Sequence, residues 1–204
     1  LSFVDTYSAL YASATTVVNY RFVETAPSGF SDTDKLEFQA FTKAQRDYAV
    51  KIFDYVSSII NVKFVETKDV NAKQVLAIAN NKQISSGGYA NSFVSNDFSK
   101  ILISNRSDIL NPDKNNAYAF NSVFIHELGH VLGLKHPFSH TDAIGQAAIG
   151  PFLPDSEENK EWSVMSYTDT KNKTPSDKFS PFDIAALQSV FGVATNYESG
   201  NNTY

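Results

Sequence analysis

The stretch SVFIHELGHVLGLKHPF, residues 122–138, places His126, His130 and His136 within eleven positions, around Glu127 and two glycines. His126 and His130 are four apart, so on a helix their imidazoles share one face and can bind a single tetrahedral cation. A helix that continued unbroken would carry His136 about 15 Å along its axis from His126, out of reach of that cation. Gly133 removes this obstacle, because a glycine can take positive φ and reverse the chain, and Pro137 then bars further helix. The pattern H-E-x-x-H-x-x-G-x-x-H fixes five positions and arises by chance in on the order of one in 10⁵ chains of this length. Histidines that merely face solvent or satisfy each other are therefore the poorer reading. Zn²⁺ bound to three imidazoles acidifies water, and a carboxylate beside it, Glu127, can take the proton during attack on a carbonyl. A downstream glutamate, Glu157 or Glu158, is the other candidate for third ligand, and His140 reads as a loop residue at the rim.

The rest of the chain offers a scaffold for such a site. Its 204 residues are 42% hydrophobic, with 16 Phe and 10 Tyr to fill a core, which suits one large domain. Seventeen basic against 22 acidic residues give a net charge of −5. No basic cluster could follow a phosphate backbone, so nucleic acid is not expected as a partner. No run is long and apolar enough to span a bilayer. There is no cysteine, hence no disulfide and no thiolate ligand. The chain starts at Leu1 without a visible signal peptide, which suggests a processed or truncated product.

Residues 17–24 alternate as a strand with one buried face, followed by turn and helix-entry material. Apolar residues at Leu36, Phe41, Ala44, Tyr48, Ile52, Val56 and Ile59 predict a long amphipathic helix over about 36–60. Four strand-like runs follow at 62–67, 74–80, 87–94 and 100–105. Gly87 and Gly88 at the head of the third suit an edge strand that can pair with an incoming chain. NPDKNN (111–116) reads as a loop, and a second long helix is expected from Ala117 to Leu132, ended by Gly133. Residues 137–180 lack periodicity and read as a long functional excursion. Ser180, Pro181 and Asp183 then open a last helix that stops at Gly192, and the tail NYESGNNTY is too polar for a core.

With WSVMSYTD (162–169), which holds the only methionine, Met165, the histidine motif resembles the metzincin zinc peptidases. The S-x-M-S-Y pattern and the proline directly after His136 are similar to the serralysin family within them. That resemblance implies one α+β (α/β-like) protease domain over 1–204. It would have a mixed, twisted five-stranded sheet with two long helices in an N-terminal lobe (about 1–136) and an irregular C-terminal lobe (about 137–204) ending in a helix. It further implies His126, His130 and His136 as zinc ligands, Tyr167 as an additional ligand and a catalytic group, Met165 as the Met-turn floor, and Glu127 as general base. Substrate would add a strand along Gly88, Tyr89, Ala90 and Asn91. The implied protein is a secreted, extracellular, broad-specificity endopeptidase, a monomer acting on proteins or peptides and open to proteinaceous inhibitors. The alternatives are a narrow processing or toxin-type metalloprotease, or an inactive zinc-containing peptide-binding module. The chain departs from the serralysin pattern in having no glycine- and aspartate-rich calcium array and in the insertion at 138–162.

Overall fold

The run Val75–Asn81, buried along its whole length, is the middle strand of the sheet in a computed structural model that describes residues 16–69, 72, 75–91, 98–109, 117–141, 147–170 and 176–195. The strands are β1 (Thr16–Phe22), β2 (Val62–Glu66), β3 (Val75–Asn81), β4 (Gly88–Asn91) and β5 (Phe98–Ser104), in the spatial order β2-β1-β3-β5-β4. All neighbours are parallel except β4, which pairs antiparallel with β5 at the sheet's edge. This is the mixed five-stranded sheet that the pattern of runs predicts.

A parallel sheet needs cover on both faces, and side chains alternate accordingly. Leu76, Ile78, Ile101 and Ile103 point into the main core under the helices. Ala77, Ala79 and Leu102 pack instead with Val23 and Phe30 on the opposite face. That second face also buries the Lys100–Asp34 ion pair, with the Tyr89 hydroxyl donating to Asp34 at 2.9 Å.

Asp32–Lys35 forms a one-turn helix, α1, and the long helix α2 runs Lys43–Ile59. The expected start near residue 36 is therefore too early. Leu36 is 45% exposed, Glu37 sits at φ 46°, and Gln39 bridges to Asn80 of β3, so residues 36–42 cannot be helical. The true start is a capping box: the Thr42 hydroxyl accepts the Gln45 N–H at 3.2 Å and the Gln45 side chain accepts the Thr42 N–H at 2.8 Å. Gln45 also exchanges hydrogen bonds of 3.1 Å with buried Asn80, which ties the helix start to β3.

Helix α3 (Ala117–Val131) lies against β4, β5 and α2, with Phe120, Phe124, Ile125, Leu128 and Val131 fully buried. Helix α4 (Pro181–Phe191) sends Ala186, Leu187 and Phe191 into the same core. Between them, the described part of 137–180 has neither helix nor strand, apart from an isolated bridge between Thr141 and Ala147. The loop at 111–116, the polar tail from 196, residues 92–94 of the third run and 142–146 of the insertion lie outside the described residues. Among the described residues no helix is long and apolar enough to cross a membrane.

The glycines of the edge strand answer to packing. A Cβ on Gly87 would lie 2.7 Å from Val123 Cγ2, and one on Gly88 would lie 2.8 Å from Val123 Cγ1 and 3.1 Å from Glu127 Cγ. Only a bare backbone lets β4 approach α3 this closely. Gly88→Ala is expected to destabilise the fold by about 1–3 kcal/mol through overpacking. An unchanged urea midpoint would show that β4 can retreat at no cost.

Candidate metal centre

Helix α3 carries His126, Glu127 and His130, and its end delivers the third imidazole. Gly133 adopts φ 94°, with its N–H donating to His130 O at 2.9 Å and the Leu134 N–H donating to Gly129 O at 2.8 Å. This Schellman arrangement reverses the chain where the motif predicts a reversal. The same turn aims the Leu134 carbonyl at His130, whose Nδ1 lies 2.9 Å from it.

The reversal brings His136 Nε2 to 3.3 Å from His126 Nε2 and 3.1 Å from His130 Nε2. Nitrogens about 2.0–2.1 Å from a tetrahedral Zn²⁺ stand about 3.3 Å apart, so these spacings fit the edges of a zinc coordination tetrahedron. Among the described residues, His126, His130 and His136 form the group of acidic, cysteine or histidine side chains able to hold a metal. Neither downstream alternative, Glu157 or Glu158, belongs to that group, and Glu158 accepts from the Ser166 hydroxyl and, at 2.6 Å, from Thr168 Oγ1. Burial holds all three imidazoles neutral, lowering His126 to about 3 and His130 to about 4, with His136 also lowered. Neutral imidazoles are the form that binds metal.

Glu127 is 6% exposed, and burial pushes its carboxyl up to about 8, against the Ala90 backbone N–H that it accepts. It sits where two cavities meet. One, about 310 Å³, runs past Gly87, Val123, Lys160 and Val164, and the other, about 440 Å³, past Tyr89, Ala90, Phe138 and His140. Gly88, His126, Glu127 and Tyr167 line both. Gly88, Tyr89 and Ala90 of the predicted substrate strand therefore flank the centre. Asn91 lies at the far end of β4, its side-chain oxygen accepting the Lys100 N–H at 3.0 Å.

Met165 is buried directly beneath α3, and a Cβ on Gly129 would come within 2.6 Å of its sulfur. The glycine between Glu127 and His130 thus makes room for the Met165 side chain. Tyr167 is 66% exposed, with its ring centroid 4.7 Å from that of His136 and 5.7 Å from that of His126. Burial of the hydroxyl's surroundings and the charge of Glu127 raise its phenol above the usual value.

Two contributors escaped the sequence reading. Asp183 reads there only as an acid in the first turn of a helix. In the fold it is buried and accepts Ser163 Oγ at 2.7 Å, the Val164 N–H at 2.8 Å and the Ser180 N–H at 2.9 Å. Val164 O in turn lies 2.9 Å from His126 Nδ1, so α4 fixes the peptide that orients a ligand. Ser180 is the N-cap of α4, as expected, and its hydroxyl also donates to Lys160 O at 2.8 Å. The second contributor is His140, whose Nε2 lies 3.4 Å from His136 Nδ1. The sequence carried no signal for either link, since one runs through a backbone carbonyl and the other through a loop insertion.

Asp183→Asn replaces one all-accepting carboxylate with a group that presents a donor to these N–H and O–H partners. It is expected to weaken zinc affinity about 10–100-fold in a chelator competition, and an unchanged affinity would remove α4 from the metal centre. The pH dependence of the metal-free protein has a defined sign. Three histidines whose folded values lie below the ordinary 6.5 bind fewer protons folded than unfolded, so their stabilisation is lost as pH falls below 6.5. Glu127, raised to about 8, and Asp183, raised to about 6 by burial, bind more protons when folded and oppose this. With three groups against two, denaturant midpoints should fall between pH 6.5 and 4.5. Above pH 6.5 Glu127 acts alone, and the midpoints should fall again toward pH 8.

No protein-family model matches the chain. A serralysin from Photorhabdus laumondii is 28% identical over 92% of this chain and 41% of its own length. The metallopeptidase AprA of Pseudomonas marginalis is 28% identical over 98% of this chain and 42% of its own. The chain thus spans about two fifths of the length of these relatives. Among solved structures, myroilysin superposes with a TM-score of 0.51 at 13% identity, covering 94% of this chain and 98% of that one. High choriolytic enzyme 1, a hatching enzyme zinc-protease from the medaka Oryzias latipes, gives 0.50 at 11% identity over 91% and 94%. The structural likenesses establish a shared α+β fold.

Proposed function

We propose that this chain, a serralysin-like metzincin domain, is a zinc endopeptidase that cleaves extended polypeptide lying along β4. The observation that carries this reading is the convergence of three neutral imidazole Nε2 atoms beside a buried carboxylate at the junction of two clefts. The donor set and the spacings suit zinc, with His126, His130 and His136 as its ligands. Bound there, zinc would supply the Lewis acidity that polarises a peptide carbonyl and acidifies water.

The remaining work falls to the chain's own side chains. Glu127 is the general base: its carboxylate takes a proton from the attacking water and returns it to the leaving amine. Burial has already raised its proton affinity, and a cation close by would draw it down toward the working range. The phenol of Tyr167, above the imidazoles, donates a hydrogen bond to the oxyanion as the carbonyl becomes tetrahedral, and it can stand as a further ligand at rest. The backbone edge of β4 holds substrate by main-chain hydrogen bonds, which asks little of its sequence and favours broad specificity. By the same family resemblance we place the activity outside the cell.

Cleavage of a quenched peptide library should be abolished by a chelator and restored by Zn²⁺. Glu127→Ala should keep stoichiometric zinc while losing about 10²–10⁴-fold in kcat. Zinc and peptide binding without chelator-sensitive cleavage in the parent protein would favour the inactive binding module instead. A library cut at a single sequence would favour the narrow processing enzyme. Tyr167→Phe should also retain zinc but lose about 10²–10³-fold in kcat; an unaltered kcat would leave Tyr167 as loop packing only.

A further inference from the structure

We propose that His140 is a positioning residue of the metal centre, and that the described parts of the 138–162 insertion, residues 138–141 and 147–153, serve to hold its imidazole against His136. The inference rests on the zinc-site reading above and adds to it a specific outer partner. The tautomers follow from the hydrogen bonds. A backbone carbonyl can only accept, so His140 Nδ1, 3.1 Å from Phe138 O, carries the proton. In the neutral ring Nε2 is then an acceptor. His136 Nδ1, 3.4 Å away, must donate to it, and this leaves the lone pair of His136 Nε2 free and aimed at the centre. The opposite tautomer of His136 would put a proton where the metal belongs.

His126 and His130 obtain the same orientation from the carbonyls of Val164 and Leu134. His136 has no such carbonyl at its Nδ1 among the described residues; its partner there is a side chain. The backbone around that side chain is held on both sides. The Ala148 N–H donates to His140 O at 2.8 Å, and Thr141 bridges to Ala147. The Leu153 N–H donates to Pro137 O at 2.8 Å, while Lys135 donates to Ile149 O and covers the Phe152 ring at 5.6 Å. The Phe138 ring stacks on His136 with centroids 5.1 Å apart and planes 6° from parallel, limiting its rotation. Residues 138–141 and 147–153, irregular in sequence, therefore form a clamp around one imidazole.

The test compares three substitutions by zinc competition with a chromophoric chelator, without substrate. His140→Leu removes the acceptor, and outer-partner loss is expected to raise the zinc Kd about 10–100-fold. His140→Gln places its side-chain oxygen where Nε2 was and should recover most of the affinity. His140→Asn places its oxygen where Nδ1 was, and should behave like the leucine variant. Nitrogen-detected NMR of the parent protein should show His136 protonated at Nδ1 and bare at Nε2. The Co²⁺-substituted absorption spectrum should shift in His140→Leu and return in His140→Gln. Parent-like affinity in His140→Leu, equal affinities in the Gln and Asn variants, or a proton on His136 Nε2 would each overturn the proposal. Failure of the parent itself to bind zinc would instead overturn the metal-centre reading.

Discussion

Three imidazole lone pairs directed at one buried point are unfavourable company without a cation, and the surrounding structure is organised to hold them there. Each ring meets a partner at its outer nitrogen, and each partner comes from a different part of the chain: the helix reversal at Leu134, the segment ahead of α4 at Val164 and the insertion at His140. Outer contacts of this kind set the tautomer and the direction of a metal-binding histidine. The centre is thus distributed over the last turn of α3, the segment ahead of α4 and the long excursion between them.

The sheet contributes through one edge. Parallel pairing of β1, β2, β3 and β5 makes a core covered on both faces, whereas antiparallel β4 lies beside α3 and supplies one wall of both clefts. The Ala90 N–H donates to Glu127, so the strand proposed to receive substrate also holds the proposed base. Glu127 and the edge of β4 consequently belong to one packed unit.

Much of this is readable in the chain because it depends on local chemistry. The spacing of His126, Glu127 and His130, the glycine at 133 and the proline at 137 together specify a helix, a reversal and a stop. The strand runs and the second and last helices follow from periodicity and caps. The start of α2 was not readable from periodicity, since Leu36 and Phe41 continue an apolar rhythm through a segment that β3 captures by the Gln39–Asn80 bridge. A long-range pairing overrode a local pattern there. Asp183 and His140 were obscure for a related reason: their importance lies in what they touch 20 and four residues away, through atoms that no residue-type pattern records. Gly87 and Gly88 were legible as an edge, but the need for them comes from Val123 on α3.

That contact between Gly88 and Val123 also constrains how this sequence can change. With 2.8 Å between a would-be Cβ at position 88 and a methyl of Val123, neither site can grow alone. Truncation at 123 would relieve that contact, while Glu127 Cγ at 3.1 Å and Ile103 Cδ1 at 3.2 Å would still have to give way. A side chain at position 88 therefore calls for changes in α3 and β5 together.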